Sequence, residues 1–123
     1  MSQQTSLRRE LVGDIAVMIL SGEIDVATRP EIEQALRAQF PAEAVGMVLD
    51  LTDVTFLDSS AVQMLFELHE DLGQSRRALS LVLAPGALPR RSIEICDGSG
   101  VLDLHATRED ALRAVGGGSW SAV

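Results

Sequence analysis

Residues 45–61 read VGMVLDLTDVTFLDSSA, and they contain the clearest indication of the fold class. Its first part, residues 45–51, is apolar on both alternations, which is typical of a central strand covered on both faces. The residues from Ser60 onward place apolar side chains at helical spacing, and Gly73 supplies a stop signal. That helical face includes Ala61, Leu65, Leu68 and Leu72. A buried strand that leads into an amphipathic helix over about residues 60–72 indicates an α/β domain.

The rest of the chain continues the alternation of strands and helices. A weaker strand near residues 7–12 joins a buried strand at residues 15–20 through Gly13-Asp14, a typical hairpin turn. By the same criteria we predict further strands at residues 78–84 and 102–106, and further helices at residues 29–40, 88–96 and 109–115. Alternation of this kind favours a mostly parallel sheet with right-handed crossovers.

Local signals mark where these helices begin and where the domain ends. Thr28 with Glu31, and Thr107 with Asp110, have the spacing of a capping box. The segment Gly22-Glu23-Ile24-Asp25 has the composition of a tight turn between a strand and a helix.

A chain of 123 residues suits one domain. We predict that this domain covers residues 1–115 and that residues 116–123 form a flexible C-terminal tail.

Composition limits the kinds of function. The formal net charge of −8 disfavours nonspecific binding to nucleic acid or to an anionic membrane surface. The longest apolar run is only as long as a strand, and the first residues lack the features of a secretory signal. Cys96 is the only cysteine, so no internal disulfide can form, and we expect a cytoplasmic protein in which Cys96 is a small buried hydrophobe.

Asp58, Ser59 and Ser60 place two hydroxyls at the start of the helix that follows the central strand. There the unpaired backbone N–H groups and the positive end of the helix dipole favour an anionic oxygen or a phosphate. Plain capping is the alternative, because Asp and Ser are preferred N-cap residues whatever the function. Helix chemistry alone leaves both interpretations open.

Three segments together resemble one known family. The run Phe56-Leu57-Asp58-Ser59-Ser60-Ala61, the segment Gly22-Glu23-Ile24-Asp25 and the turn Gly98-Ser99-Gly100-Val101 are similar to motifs of STAS domain proteins that act as anti-sigma factor antagonists. The resemblance extends over roughly residues 7–115. It implies a STAS-type fold, a mixed and mainly parallel sheet of about five strands with about four helices packed mainly on one face.

The resemblance also assigns roles to particular residues. In that family the first hydroxyl after the Asp is phosphorylated, so the resemblance implies that Ser59 is the phosphorylated residue. It also implies that Asp58 helps to present Ser59 to a kinase and that Ser60 supports or caps the turn. The partner-binding face that the resemblance implies consists of Gly22, Glu23, Asp25, Asp58, Ser59, Ser60 and Ala61. Ala61 departs from the family, which commonly has glycine there, and should make the helix start firmer by up to roughly 1 kcal/mol.

The function that the resemblance implies is partner switching. The unphosphorylated chain would bind an anti-sigma factor of the serine-kinase type, phosphorylation at Ser59 would release it, and a serine phosphatase would remove the phosphate. The ATP would belong to the kinase, so no cofactor is expected here. An alternative within the same fold is a STAS domain that is never phosphorylated and serves as a scaffold or as an accessory subunit of a transporter or signalling complex.

Two other classes of protein fit the sequence poorly. An aspartyl-phosphate receiver domain uses a lysine near its end, and this chain contains no lysine. A serine hydrolase would need the Gly-x-Ser-x-Gly elbow, which is absent. Its candidate base, His69, lies about 14 Å along the same predicted helix from the two serines at 1.5 Å per residue. We therefore expect no enzymatic activity, and no metal site, because His69 has no partner at metal-ligand spacing.

Overall fold

The computed structural model describes residues 5–120, with side chains through residue 116. Five strands and four helices alternate along this part of the chain. In chain order they are β1 (Thr5–Val12), β2 (Ile15–Ile24), α1 (Arg29–Gln39), β3 (Gly46–Leu57), α2 (Ser59–Gln74), β4 (Ala78–Val82), α3 (Leu88–Cys96), β5 (Leu104–His105) and α4 (Arg108–Trp120).

The strands form one mixed sheet in the order β1-β2-β3-β4-β5. β1 and β2 are antiparallel and are joined by a tight hairpin in which Gly13 has a φ of 60°. The pairs β2–β3, β3–β4 and β4–β5 are parallel. The predictions of a mainly parallel five-stranded sheet and of β3 as its central strand are confirmed.

Helices cover the two faces of the sheet unequally. On one face, α1, α2 and α3 contribute Ile32, Leu65 and Ile93 to a large core that includes the inward side chains of β2, β3 and β4. On the other face, Ala111 and Val115 of α4 pack on Ile15, Val17, Val48 and Val82. Three of the four helices therefore lie on one side, as predicted.

The segment Gly22-Glu23-Ile24-Asp25 is not a turn as predicted. Gly22, Glu23 and Ile24 continue β2 and pair with Val54, Phe56 and Leu57 of β3, with register shifts along the ladder. Gly22 has a φ of 103°, so glycine is needed to accommodate the irregularity. The turn begins only at Asp25, and the strand extends because its long partner β3 offers hydrogen bonds beyond the apolar run.

Helix ends also differ from the sequence-based expectations. Gly73 lies inside α2, and the helix ends in a Schellman motif: Arg77 N–H donates to Leu72 and Arg76 N–H donates to Gly73. Arg76 takes the left-handed conformation there, with a φ of 59°. In α1 the Thr28 side chain makes no cap hydrogen bond to the helix, so that predicted capping box is not formed.

The end of the chain is more helical than predicted. α4 continues past Val115 through Trp120, where the tail was expected to begin. Residues 121–123 of that predicted tail lie outside the described residues. β5 is only two residues long, shorter than the predicted strand at residues 102–106.

The topology brings the segments that follow β2, β3 and β4 to one edge of the sheet. Because β2, β3 and β4 are parallel, the segments that follow them leave from the same side of the sheet. The loop after β2 (residues 25–28) and the start of α2 at Asp58 and Ser59 are neighbours there. This edge holds most of the residues that the sequence singled out.

Candidate functional site

Asp58 organises the start of α2. It is the N-cap residue, with an extended backbone, and its Oδ1 accepts a hydrogen bond from the Ala61 N–H at 3.0 Å. Its Oδ2 accepts a second hydrogen bond, at 3.1 Å, from the Val26 N–H in the loop after β2. The Asp58 N–H in turn donates to the Ile24 carbonyl at 3.2 Å. One side chain thus caps the helix and fixes the neighbouring loop.

The loop after β2 is held from within by Asp25 and Thr28. Asp25 Oδ1 accepts hydrogen bonds from the N–H groups of Ala27 and Thr28, both at 2.9 Å. The Thr28 hydroxyl donates to the Glu23 carbonyl and accepts from the Asp25 N–H. These bonds use the Thr28 oxygen that the predicted capping box would have needed, and they give the loop a fixed shape.

Arg29 links α1 to α2 directly behind the serines. Its Nη1 donates to the Ser60 carbonyl at 3.0 Å, while the rest of the guanidinium pairs with Glu33 at 2.9 Å and Glu67 at 3.0 Å. Hydrogen bonds to Glu33 and Glu67 raise the pKa of Arg29 above its ordinary value. The cation closest in sequence to the loop is therefore already matched by two carboxylates.

Ser59 is the first residue of α2 and is exposed. Its hydroxyl makes no hydrogen bond with another described residue, whereas the Asp58 carboxylate beside it is engaged on both oxygens. Ser60 is half-buried beneath Arg29. A group added to the Ser59 oxygen would sit at the positive end of a 16-residue helix without displacing a packed side chain.

The other residues that the resemblance assigned to a binding face fall into two groups. Glu23 is exposed, and Asp25 and Gly22 are half-buried along the same edge. Ala61 is fully buried, and its methyl group belongs to the core. The Ala61 side chain therefore lies behind the surface and offers a partner nothing to touch, because the turn of helix places position 61 inward.

Sequence reasoning missed two exposed apolar residues at this edge. Val26 is 73% exposed and Phe56 is 49% exposed. Phe56 lies beyond the predicted central strand at residues 45–51, and nothing in the neighbouring sequence indicated that its side chain is exposed. The sequence did contain a signal for Val26, since a β-branched apolar residue inside a polar turn is unusual. Arg29 was also missed, because its partners lie on another helix.

Cys96 and His69 are two further residues for which we made predictions from the sequence. Cys96 is exposed at the end of α3, contrary to the expectation of a buried thiol, because the last turn of that helix projects beyond the core. His69 is half-buried on α2. Among residues 5–120, no group of His, Cys, Asp and Glu side chains is arranged to hold a metal ion. Within that range, no helix combines the length and apolar character required to cross a membrane.

Comparisons with known proteins agree on one family. The model of the STAS domain matches residues 7–111. The anti-sigma-F factor antagonist RsfB of Mycobacterium tuberculosis is 34% identical over 104 residues, which cover 85% of this chain and 84% of that protein. The crystal structure of an anti-sigma factor antagonist from Mycobacterium paratuberculosis, 32% identical, superposes with a TM-score of 0.80 over 90% of this chain and 93% of the other.

A more distant structure shows how widely the fold is shared. The anti-sigma factor antagonist SpoIIAA in its unphosphorylated form has a TM-score of 0.71 at 23% identity, covering 91% of this chain and 97% of its own. At that identity the likeness concerns the fold alone. The match over residues 7–111, the sheet order and the relatives of similar length lead to one conclusion: this chain belongs to the STAS domain family.

Proposed function

We propose that this chain is a cytoplasmic anti-sigma factor antagonist that works by partner switching, with Ser59 as the phosphorylated residue. The observation that carries the proposal is the exposed Ser59 hydroxyl on the first residue of α2, beside the fixed carboxylate of Asp58. The names of two relatives that each match most of the chain, both anti-sigma factor antagonists, support the same function.

The proposed contact surface is the edge around Ser59. It consists of Glu23 and Asp25 from the end of β2 and Asp58, Ser59 and Ser60 from the start of α2, with Gly22 shaping the strand behind them. Ala61 supports this surface from the core and is left out of it. The partner is an anti-sigma factor of the serine-kinase type, which supplies the ATP, and a serine phosphatase reverses the reaction.

Phosphorylation acts locally in this proposal. A phosphate adds about −1.5 to −2 charges at neutral pH and would lie next to the Asp58 carboxylate. At a packed interface this brings like-charge repulsion and the cost of removing water from a dianion. A loss of about 3 kcal/mol in binding free energy already weakens affinity more than a hundredfold.

Phosphorylation of Ser59 requires no change of the fold in this proposal. The Asp58 carboxylate caps Ala61 whether or not Ser59 carries a phosphate, and the exposed Ser59 side chain has no packed neighbour to lose. A negative group at the first helical position also interacts favourably with the helix dipole, by about 0.3–1 kcal/mol. The switch therefore resides in the surface rather than in a rearrangement.

The test pairs phosphate mapping with binding. Each kinase-type anti-sigma factor of the host is purified, incubated with this chain and ATP, and the modified residue is located by mass spectrometry. We expect one phosphate on Ser59, none on the Ser59→Ala variant, and normal labelling of Ser59 in Ser92→Ala, a control that removes a serine hydroxyl of α3 outside the contact surface. By calorimetry, Ser59→Ala should keep wild-type affinity and Ser59→Asp should lose at least a hundredfold.

Two results would contradict the proposal. Labelling of Ser59→Ala at wild-type level would show that Ser59 is not the phosphorylated residue. Equal affinity of the Ser59→Ala and Ser59→Asp variants would show that charge at this position does not control binding, and it would favour a scaffold or accessory-subunit role.

A further inference from the structure

Exposed apolar side chains are few and unevenly placed in the described part of the chain. Leu11 and Val12 lie at the β1–β2 hairpin, at the opposite end of the sheet, and Leu88 and Ile95 lie on α3. Val26 and Phe56 lie next to Asp58 in the structure, because the Val26 N–H bonds to the Asp58 carboxylate and Phe56 precedes Asp58 by two residues. The large apolar residues that are exposed are Leu11, Val12, Val26, Phe56, Leu88, Ile95 and Val101.

The backbones of Val26 and Phe56 are both held close to Asp58. The Val26 N–H donates to Asp58 Oδ2 at 3.1 Å, so the exposed Val26 side chain emerges beside the helix start. Phe56 precedes Asp58 by two residues at the end of β3, which limits the distance between their Cα atoms to about 7 Å. Backbone pairing of Phe56 with Glu23 fixes it further.

The surroundings of the two side chains are acidic. Glu23 pairs with Phe56 across the ladder, Asp25 precedes Val26, and Asp58 is close in space to Val26 and close in sequence to Phe56. The cation closest in sequence, Arg29, is already paired with Glu33 and Glu67. Exposed apolar side chains among carboxylates complement a partner surface whose apolar recess is bordered by Arg or Lys.

We propose that Val26 and Phe56 are the apolar anchors by which this chain docks on its anti-sigma factor, and that the partner receives them in an apolar recess bordered by basic side chains. The inference rests on the proposed function and adds the residues that supply affinity. Anchors of this kind carry most of the binding energy of an interface, while the surrounding charges govern association rate and partner choice.

This arrangement gives the phosphate a specific point of action. Ser59 directly follows Asp58, so a phosphate on Ser59 would lie among the groups that must lose their water when Val26 and Phe56 are buried. Water held by the dianion would then prevent burial of Val26 and Phe56. The inhibitory effect of the phosphate would accordingly depend on the presence of the anchors.

The experiment measures binding to the kinase-type anti-sigma factor that binds the wild-type chain, in the nucleotide state that gives the tightest complex. We expect Phe56→Ala to weaken binding at least tenfold and Val26→Ala about threefold to tenfold, chiefly through faster dissociation. Ile95→Ala and Leu11→Ala remove exposed apolar side chains at other sites and should leave the Kd within twofold. Raising the salt concentration should slow association of the wild type and of all four variants alike.

A folding control accompanies these variants. Val26 is largely in solvent, so Val26→Ala should unfold at the wild-type urea concentration, and its binding defect then reports contact alone. Wild-type affinity in both Val26→Ala and Phe56→Ala would overturn the inference. An equal loss in Ile95→Ala would do the same.

The two proposals fail in different ways. If the wild type binds none of the host's kinase-type anti-sigma factors, the proposed function falls, and the anchors fall with it. If the wild type binds and Ser59→Asp does not, while Val26→Ala and Phe56→Ala bind normally, the proposed function stands and only the anchor assignment is wrong.

Discussion

Asp58 Oδ2 accepts a hydrogen bond from the Val26 N–H at 3.1 Å, although the two residues lie 32 positions apart in the sequence. The other oxygen of the same carboxylate caps α2 through the Ala61 N–H. The loop after β2 and the first turn of α2 are therefore joined through one side chain. Anything that binds the edge around Ser59 meets a surface that is already ordered.

Replacement of Asp58 should affect stability through both of these hydrogen bonds. We expect Asp58→Ala to lower the free energy of unfolding by about 1–2 kcal/mol, the usual cost of losing an N-cap. Asp58→Asn keeps one acceptor and should fall between Asp58→Ala and the wild type. Urea denaturation followed by circular dichroism measures both. Asp53→Ala, at an exposed position of the preceding strand, serves as the control and should change stability by less than about 0.5 kcal/mol.

Replacement of Ser59 should affect binding without affecting the fold. Because its hydroxyl is exposed and makes no hydrogen bond within the described residues, we expect Ser59→Ala to change the free energy of unfolding by less than about 0.5 kcal/mol. Ser59→Asp should be neutral or stabilising by up to about 1 kcal/mol, since it adds negative charge at a helix N-terminus. Thermal unfolding at low salt checks both. A large destabilisation in Ser59→Asp would mean that unfolding explains any loss of binding.

Asp50 and Arg108 form a partly buried ion pair on the α4 side of the sheet. Arg108 Nη2 lies 2.9 Å from Asp50 Oδ2, and Nη1 lies 3.2 Å from Glu10 Oε2. Burial by itself raises the pKa of Asp50, but hydrogen bonds from Thr52 and Arg108 outweigh it and hold that pKa below its ordinary value. The ionised carboxylate therefore stabilises the fold above the unfolded-state pKa of about 3.9, and protonation removes this contribution as the pH falls through the lower folded-state pKa.

The variant Arg108→Gln tests this dependence on pH. At pH 7 we expect it to lower the free energy of unfolding by about 1–2 kcal/mol, between the values for exposed and for fully buried pairs, because 35% of the Arg108 side chain is exposed. The difference from the wild type should shrink once the pH is well below 4, where Asp50 becomes neutral. Arg113→Gln, which breaks an exposed pair with Asp110, should have little effect at either pH. A constant difference at all pH values would show that lost packing, not charge, is responsible.

Two glycines should respond in opposite directions to substitution by alanine. A Cβ at Gly46 would lie 2.5 Å from Val115 Cγ1 and 2.7 Å from the Ala78 carbonyl oxygen, so either β4 or α4 must shift. We expect Gly46→Ala to destabilise the protein by about 1–3 kcal/mol. Gly73 is exposed inside α2 with open space around it, and Gly73→Ala should stabilise by up to about 1 kcal/mol. Equal effects in urea denaturation would contradict the close approach of α4 to β3.

The sequence alone determined the features that depend on neighbouring residues. Apolar runs and helical spacing located the strands and helices, and Gly13-Asp14 marked the hairpin that makes β1 antiparallel. The apolar run at residues 45–51 identified the central strand, because only a strand covered on both faces lacks polar alternation. The start of α2 at Asp58 and Ser59 followed from local capping chemistry.

The surroundings of Ser59 depend on how the strands and helices pack. The extension of β2 through Gly22–Ile24 depends on pairing with β3, the exposure of Phe56 on where the sheet ends, and the position of Arg29 on Glu67 and the Ser60 carbonyl of another helix. Such contacts join residues about thirty or more positions apart, so no local pattern encodes them. Local spacing specifies elements, whereas the packing of those elements determines which side chains meet at the edge of the sheet and which remain in solvent.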